Sequence, residues 1–427
     1  MLGLGFGLAV TLGNTIGAGI LRAPGEVAER VPAVGPYLAV WIAGGAYALL
    51  GAVSMAELGA MMPRSGGMYV YASRALGRYA GFVVGWNDWI ATCGSCAAVA
   101  VVIAEYLRPS IGGLGARDGA VAVALALGFA LLQARGVRPA GRAQEVTSLA
   151  KTLILLALVA ACFVLPAPAA PVAAPAAAGV IGIAAVIAAL QAVIYTYDGW
   201  TGVVYFGGEV RDPGREIPRA MFGGVLSVMA IYLLLNLAFL RVLPLHALAG
   251  ETLAAGAVAR ALFGALGDPV IRAVVVIGLL SSVHAFLLMA PRVLFAMARD
   301  GLVSRRAAAV DPRGTPAGAL IASLLVVVLF IASGTFDDII AVLAFFFVAN
   351  YVICFVAVYA LRRREPQAER PYRAWGYPWT TAIALAGSLA FLAGAAVGDT
   401  RNSVYALLLL AASYPAYRLS GRLMADG

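Results

Sequence analysis

Long apolar runs are the feature that most constrains how this chain can fold. A helix needs about 20 mostly apolar residues to cross the hydrocarbon core of a bilayer. Charged residues make up only 12% of the chain, about half the share found in soluble proteins. The runs therefore predict an all-α integral membrane protein with roughly twelve transmembrane helices. We place them near residues 2–26, 37–61, 80–107, 119–134, 146–165, 179–206, 220–241, 269–298, 316–333, 337–361, 378–397 and 403–418.

Arginines between the runs predict the orientation of the chain, because Lys and Arg are concentrated in cytoplasmic loops. The loops on one side, termed the arginine-rich side below, contain Arg64, Arg74, Arg78, Arg135, Arg138, Arg142, Arg211, Arg215, Arg219, Arg299, Arg305, Arg306, Arg313, Arg362, Arg363, Arg364, Arg370, Arg373, Arg418 and Arg422. The other loops contain only Arg30, Arg108, Arg117, Arg241, Arg260 and Arg401. We expect a multi-pass plasma (inner) membrane protein with cytoplasmic N- and C-termini. The net charge of +9 lies in short loops, so no nucleic acid partner is expected.

Cysteine and histidine usage limits the chemistry of the chain. The four cysteines all fall inside apolar runs, so no disulfide framework is indicated, and we expect no disulfide-linked subunit. Of the two histidines, one lies in a loop and one is alone in a helix, which does not suggest a metal site. An intramembrane enzyme would need a catalytic constellation. We therefore expect no enzyme, no cofactor and no metal.

The first apolar run is interrupted at residues 13–21, with the sequence GNTIGAGIL. Each glycine inside a helix costs roughly 1 kcal/mol relative to alanine, and backbone groups freed within a bilayer need other partners. Close helix packing through Gly13 and Gly17 would also explain the glycines. Together with the rest of the chain, however, the stretch favours a helix broken at mid-membrane that turns free backbone groups toward a ligand.

A second interruption lies in the sixth run, at residues 189–202 with the sequence ALQAVIYTYDGWTG. A carboxylate such as Asp198 is costly at this depth and should face a cavity or a partner. Five runs separate the starts of the two interrupted helices, so a second copy of the unit would be inverted in the membrane. Interrupted helices at matching positions of two halves indicate an inverted-repeat transporter with a site near the midplane. This reading also argues against a channel, which would need a selectivity ring.

Helix ends at the two interruptions suggest a class of ligand. The helix that begins near Gly19 would present free N–H groups and the positive end of its dipole, which suit a carboxylate. Freed carbonyls around residues 194–197 would present a negative end, which suits an ammonium group. Two such ends at one depth predict binding of a zwitterion, and an α-amino acid fits best.

Several motifs, taken together, resemble the amino acid–polyamine–organocation (APC) transporter superfamily, and in particular a bacterial branch similar to L-type amino acid transporters. They follow the order of that family along nearly the whole chain. They are TIGAGI at 15–20, MAELG at 55–59, PRSGGMY at 63–69, YDGW at 197–200, GEVRDP at 208–213, IPRA at 217–220, RPY at 370–372 and GYP at 376–378. The resemblance implies a LeuT-like 5+5 inverted repeat with discontinuous helices 1 and 6. Its units would be 1–165 (helices 1–5), 179–362 (helices 6–10) and 375–427 (helices 11–12).

The resemblance also implies a substrate site. The family would place the substrate carboxylate on the backbone around residues 17–19, the amino group on carbonyls at Ile16 and near Tyr195, and an aromatic gate at Tyr195. Ala18 stands where the family usually has serine, which removes one hydroxyl. The full predicted substrate-binding set is Ile16, Gly17, Ala18, Gly19, Ile20, Tyr195, Thr196, Tyr197, Asp198 and Trp200.

Lys151 is the only lysine of the chain and lies in the fifth run. Relatives without sodium coupling tend to carry a lysine where LeuT-like carriers bind sodium, so the resemblance implies that Lys151 substitutes for the ion. An intramembrane lysine is by default functional, and its ammonium group could bond the carbonyls freed in the first helix. The alternative is that Lys151 lies one turn from the cytoplasmic end and extends to the interface.

Taken together, the sequence predicts alternating-access transport of L-amino acids without sodium, as an exchanger that favours neutral amino acids. Proton-coupled uptake of amino acids, or of cationic amines and polyamines, is the alternative, since Asp198 and Asp88 could bind an amine. We expect Glu57 to organise a cytoplasmic loop with a nearby arginine, and His284 to be a packing residue. The expected partners are a small amino acid and the lipid bilayer, and a monomer is compatible with this reading.

Overall fold

The structure is a computed structural model that describes residues 3–17, 19–108, 118–135, 137–166, 181–311, 314–333, 336–398 and 400–425. Within these ranges the chain is helical, and its only extended pairing is an isolated bridge between Ser65 and Phe206. The helices are α1 Leu4–Thr15, α2 Gly19–Arg30, α3 Val34–Met61, α4 Met68–Leu76, α5 Arg78–Leu107, α6 Asp118–Gln133, α7 Val137–Val164, α8 Ile183–Tyr197, α9 Pro213–Val242, α10 Leu245–Leu248, α11 Ala254–Phe263, α12 Gly267–Arg299, α13 Ala317–Ser333, α14 Phe336–Arg364, α15 Trp379–Gly398 and α16 Thr400–Ala425.

Six of the described helices (α3, α5, α9, α12, α14 and α15) contain segments long and apolar enough to cross a membrane. The pair α1 and α2 would make a seventh span, bent by 44° at its break. This confirms the all-helical class. Among these helices α5 and α12 are the most deeply buried, so they form the centre of the bundle.

Both predicted interruptions are present. In the first, α1 ends at Thr15 and α2 begins at Gly19. In the second, α8 ends at Tyr197, and Gly199 then adopts a φ of +106°, a backbone conformation that side chains with a Cβ rarely adopt. The chain continues in a short 3₁₀ turn from Gly202 to Tyr205. An aspartate followed by a glycine is therefore the local reason that the sixth apolar run does not form one continuous helix.

Helix α7 differs from expectation in where it begins. It starts at Val137, several residues before the run predicted at 146–165, because the polar stretch that precedes the apolar residues is also helical. Lys151 consequently lies near the middle of α7, and its side chain is 5% exposed. The alternative that Lys151 lies one turn from the cytoplasmic end and extends to the interface is wrong.

The connections between the spanning helices include short helices of their own. The short helix α11, Ala254–Phe263, lies between α9 and α12. The helix α4 was not expected as a separate element. Most of the Pro/Ala-rich connector after the fifth run, residues 167–180, lies outside the described residues.

Candidate functional site

The two interruptions lie against each other. The side-chain nitrogen Nδ2 of Asn14, in the last turn of α1, donates to the carbonyl oxygen of Gly199 at 3.1 Å. A Cβ atom on Gly199 would lie 2.8 Å from that nitrogen and 2.9 Å from the backbone nitrogen of Thr15. Such distances are too short for a real side chain, so only glycine lets the two breaks approach this closely.

The second contact between the interruptions joins the start of α2 to the end of α8. A Cβ atom on Gly19 would lie 2.9 Å from Oγ1 and 3.1 Å from Cα of Thr196. The hydroxyl of Thr196 itself donates back to the carbonyl of Ala192 at 2.7 Å. Gly19, which was expected to break the first span, therefore also allows α2 to pack against the end of α8.

Tyr232, on α9, links the carbonyl oxygens of both breaks. Its hydroxyl lies 2.8 Å from the carbonyl oxygen of Thr15 and 3.0 Å from that of Thr196. The ring is fully buried and packs on Trp41 and Tyr197, with ring centroids 6.0 and 5.0 Å away. Buried carbonyls need hydrogen-bond partners, and the single hydroxyl hydrogen of Tyr232 is shared between the two broken helices.

Lys151 supplies the partner for the other carbonyls of the first break. Its ammonium nitrogen Nζ donates to the carbonyl oxygen of Gly13 at 2.9 Å, and also to that of Ile16. Ser282, on α12, joins the group, because its hydroxyl oxygen lies 3.2 Å from Nζ and 3.2 Å from the Gly13 oxygen. Oxygen atoms of this kind are the ligands that a sodium ion would take, and here a fixed ammonium group binds them.

A small cavity lies where the interruptions meet. Five predicted residues line it, namely Gly17, Gly19, Tyr195, Thr196 and Asp198. They are joined by Asn14, Thr15, Ser95, Val99, Gly199, Phe286 and Phe347. Two oxygens at its edge, Oδ1 of Asn14 and Oγ1 of Thr15, are buried without a partner among the described atoms, and buried polar atoms left unpaired are rare in proteins.

The other predicted residues lie outside this cavity. Ile16 and Ile20 line a neighbouring, almost entirely apolar cavity together with Lys151. Tyr197 and Trp200 line a third cavity, behind Asp198. Ala18 lies outside the described residues. The carbonyl of Ile16, which was expected to bind the substrate amino group, instead accepts from Lys151.

Sequence reasoning missed residues whose partners are distant in the chain. Asn14 and Thr15 were noted as polar residues inside an apolar run, but their side chains were not assigned to the site. Nothing in the spacing of Ser95, Ser282 or Tyr232 connects them to the breaks. Phe347 was not assigned to the site, yet it lines the cavity.

Two carboxylates lie in the bundle around the sixth span, and each has a tyrosine partner. Asp198 accepts from the hydroxyl of Tyr351, on α14. Asp88, on α5, accepts from the hydroxyl of Tyr205 at 2.6 Å, and its second oxygen has no partner among the described atoms. The Asp88 contact ties the segment after the sixth break to the centre of the bundle.

One side of the cavity adjoins a much larger space. A wide opening shares Gly19, Tyr195 and Thr196 with it, and reaches the end of α2 and the loop at residues 250–252. On the arginine-rich side, polar contacts join the segments instead. Arg64 pairs with Asp300 at 2.8 Å, and Arg292 pairs with Glu209 at 3.0 Å.

Glu57 was expected to organise a loop on the arginine-rich side, and this is confirmed. Its carboxylate forms a two-point ion pair with Arg362, at 2.9 and 2.6 Å. It also lies 3.3 Å from Nε of Arg370 and accepts from the backbone N–H of Ala374 at 2.7 Å. His284 is buried and packs against Phe129, with ring centroids 5.3 Å apart, as expected for a packing residue.

Known amino acid transporters are similar to this chain along almost its whole length. The family model described as "Amino acid permease" matches residues 7–413. The chain is 28% identical to the serine/threonine exchanger SteT of Bacillus subtilis (strain 168), over 97% of this chain and 95% of that protein. It is 27% identical to the b(0,+)-type amino acid transporter 1 of Rattus norvegicus, over 87% of this chain and 78% of that protein. It is 31% identical to the uncharacterized transporter Rv1999c of Mycobacterium tuberculosis, over 73% of this chain and 69% of that protein.

Proposed function

This chain belongs to the amino acid permease family, and from that premise we propose that it exchanges small neutral L-amino acids across the membrane without sodium. It is a multi-pass membrane transporter of amino acids and not an enzyme. The coupling, the substrate and the site residues are the parts that we propose here. The contact of Lys151 with the first break carries the proposal.

The proposed architecture is the LeuT-like 5+5 inverted repeat, with units at residues 1–165 and 179–362, followed by two further spans in 375–427. The two interruptions occur at the first span of each unit, and they pack directly on each other. We propose twelve spans on the basis of the apolar runs, and cytoplasmic N- and C-termini on the basis of the arginine distribution. Because the four cysteines are buried, we propose that no disulfide-linked subunit is attached. We also propose that the protein acts as a monomer.

Sodium independence rests on Lys151. A sodium ion in this position would need the carbonyl oxygens of Gly13 and Ile16 and the hydroxyl of Ser282, and the ammonium group of Lys151 already donates to all three. A charged group that the protein itself supplies holds the first break in shape at any ion concentration. Transport therefore needs no sodium gradient.

The proposed binding mode follows from the ends of the helices at the cavity. The first N–H groups of α2, near Gly19, have no partner within their own helix and suit the substrate carboxylate. The unpaired oxygens of Asn14 and Thr15 suit the substrate ammonium group, which needs acceptors. Hydroxyl and amide groups dominate the remaining polar lining, so a small side chain, with or without a hydroxyl, fits best. The serine/threonine exchanger named above is consistent with such a substrate.

A cationic amine or polyamine is the second candidate, and Asp198 at the edge of the cavity favours it. The carboxylate already accepts from Tyr351, which leaves less of its capacity for a ligand. An amine without a carboxylate would also leave the N–H groups at the start of α2 unpaired. Amino acids are therefore the better match.

Counterflow in proteoliposomes tests the proposal. Vesicles are preloaded with unlabelled L-serine, and uptake of labelled L-serine, L-threonine, L-alanine, L-arginine and putrescine is measured in potassium or sodium buffer. We expect uptake of the neutral amino acids that depends on internal substrate and is equal in both buffers. A requirement for sodium would contradict the role of Lys151. Uptake into empty vesicles driven by a proton gradient would favour the proton-coupled alternative.

A further inference from the structure

Two tryptophans at one end of α15 are unusually exposed. The side chain of Trp375 is 54% exposed and that of Trp379 is 74% exposed. The hydroxyl of Thr380, in the first turn of α15, donates to the carbonyl of Trp375 at 2.9 Å. This hydrogen bond holds Trp375 against the end of the helix that carries Trp379. Tryptophan is enriched at the level of the lipid headgroups, where its ring and its N–H both find suitable surroundings. This end of α15 therefore lies at the bilayer surface.

Three exposed arginines lie on the loop that carries Trp375 and on the start of α9, which packs against this loop. Arg373 precedes Trp375 by two residues, while Arg215 and Arg219 lie one turn apart on α9. The loop and the start of α9 touch at two points, because a Cβ on Gly214 would lie 2.8 Å from Cβ of Pro371, and the rings of Phe222 and Tyr372 are 5.7 Å apart. We call these five residues the Arg–Trp patch, comprising Arg215, Arg219, Arg373, Trp375 and Trp379.

The guanidinium groups of the three patch arginines form no hydrogen bond or ion pair with any residue that the structure describes. The acidic residues nearby are Asp212, Glu216 and Glu369, of which Asp212 and Glu369 are also exposed. Other arginines of the same region do have partners. Arg362 and Arg370, for example, pair with Glu57. The patch arginines are thus free for an external anion.

The loop that carries Arg373 and Trp375 is held in place by contacts with α3 and α14. Glu57 is 2% exposed and binds the loop through Arg370 and through the backbone N–H of Ala374. The guanidinium carbon of Arg362 lies 3.9 Å from the ring centroid of Tyr377. Arg373 and Trp375, which flank Ala374, therefore have a fixed position relative to α3 and α14.

We propose that the Arg–Trp patch binds the headgroup of an anionic phospholipid on the arginine-rich side of the membrane. The guanidinium groups of Arg219 and Arg373 bind the phosphate, since arginine suits phosphate geometry, and the tryptophans pack against the glycerol and upper acyl region. Basic residues next to a spanning segment attract anionic lipids by about 1 kcal/mol each, or about fivefold. The lipid would join the loop before α15 to the start of α9, the helix that follows the sixth span.

Quenching of tryptophan fluorescence by brominated lipids tests this site in the full-length protein. The protein is reconstituted in phosphatidylcholine that contains brominated phosphatidylglycerol, and in parallel in phosphatidylglycerol that contains brominated phosphatidylcholine. A Trp375→Phe/Trp379→Phe variant gives the signal of the other tryptophans, which is subtracted. We expect the patch tryptophans to be quenched more strongly by brominated phosphatidylglycerol at equal mole fraction.

Two variants test whether the patch arginines cause the preference for phosphatidylglycerol. In Arg219→Gln/Arg373→Gln the preference for phosphatidylglycerol should fall by about fivefold for each arginine removed. Arg241→Gln, which removes an exposed arginine from the opposite end of α9, should leave it unchanged. Equal quenching by the two lipids, or the same loss in Arg241→Gln, would overturn the proposal. If inorganic phosphate abolishes the preference while sodium chloride at matched ionic strength does not, the site binds free phosphate and the lipid assignment is wrong.

Discussion

The ammonium nitrogen of Lys151 lies 2.9 Å from the carbonyl oxygen of Gly13, in the last full turn before the first span breaks. The two residues are far apart in sequence, and each is unusual in its place, a lysine inside a membrane helix and a glycine within an apolar run. Their contact explains both. The glycine helps to end the helix, and the lysine satisfies the carbonyls that the ending leaves free.

Replacement of Lys151 by methionine should lower exchange by tenfold or more. The variant loses two charge-assisted hydrogen bonds to buried carbonyls, each of which contributes about 1.5–3 kcal/mol. Initial rates of serine counterflow measure the effect. Thr152→Val is the matched control, because the hydroxyl of Thr152 donates only to Ser148 within α7, and it should retain exchange. Full activity in Lys151→Met would show that the contact is not required.

Valine at position 17 should abolish substrate binding while the protein remains folded. A Cβ on Gly17 would meet only the hydroxyl oxygen of Ser282, at 3.8 Å, so the protein has room for the added atoms, but they would enter the space of the substrate. Binding is measured as the shift in melting temperature caused by serine. Gly128→Val, at a position with nothing within 4 Å, should keep the full shift. An unchanged affinity in Gly17→Val would place the substrate elsewhere.

Removing the hydroxyl of Tyr232 should weaken both stability and substrate binding. Tyr232→Phe leaves the carbonyls of Thr15 and Thr196 without this donor, and unsatisfied buried groups cost about 1–3 kcal/mol. We expect a lower melting temperature and an affinity for serine reduced by about fivefold or more. In Tyr106→Phe the lost hydroxyl is buried without a partner, so that variant should be neutral. A Tyr232→Phe protein that equals the wild type in both measurements would contradict the bridging role.

Alanine at position 95 should change the preference among substrates. Ser95 is 2% exposed and lines the cavity, so its hydroxyl can pair with the hydroxyl of a serine or threonine substrate. Sites that bond a substrate hydroxyl discriminate strongly against analogues without it. In Ser95→Ala, competition assays should show serine losing about tenfold relative to alanine. Thr92→Val, one turn away on α5 with its hydroxyl bonded to the Asp88 carbonyl, should leave the ratio unaltered.

The positions of the breaks could be predicted from sequence because their causes are local. Glycines at 13, 17 and 19 and the pair Asp198–Gly199 stand out in apolar runs, and the helices end within a few residues of them. The link between Lys151 and the first break could also be anticipated, although the resemblance to known transporters supplied it. The start of α7 could not, because its first turns are polar and carry no apolar signal.

The inner surface of the site could not be derived from sequence. Tyr232 and Ser282 lie in ordinary membrane helices, and only the packing of α9 and α12 brings them to the break. Phe347 is one of three consecutive phenylalanines, and the helix rotation that points it at the cavity has no local signature. Conversely, the resemblance placed Ile16 and Ile20 in the substrate site, whereas both residues line a separate apolar space.

Among the described residues, the wide opening that shares Tyr195 and Thr196 with the cavity lies on one side, which makes the two faces of the protein kinetically unequal. A ligand arriving through it meets the cavity at once, whereas one arriving from the arginine-rich side must wait until pairs such as Arg64–Asp300 separate. At equilibrium the direction of entry cannot alter occupancy, since free energy does not depend on path. The difference is confined to rates, so an inhibitor too large to cross would act promptly from one face and after a delay from the other.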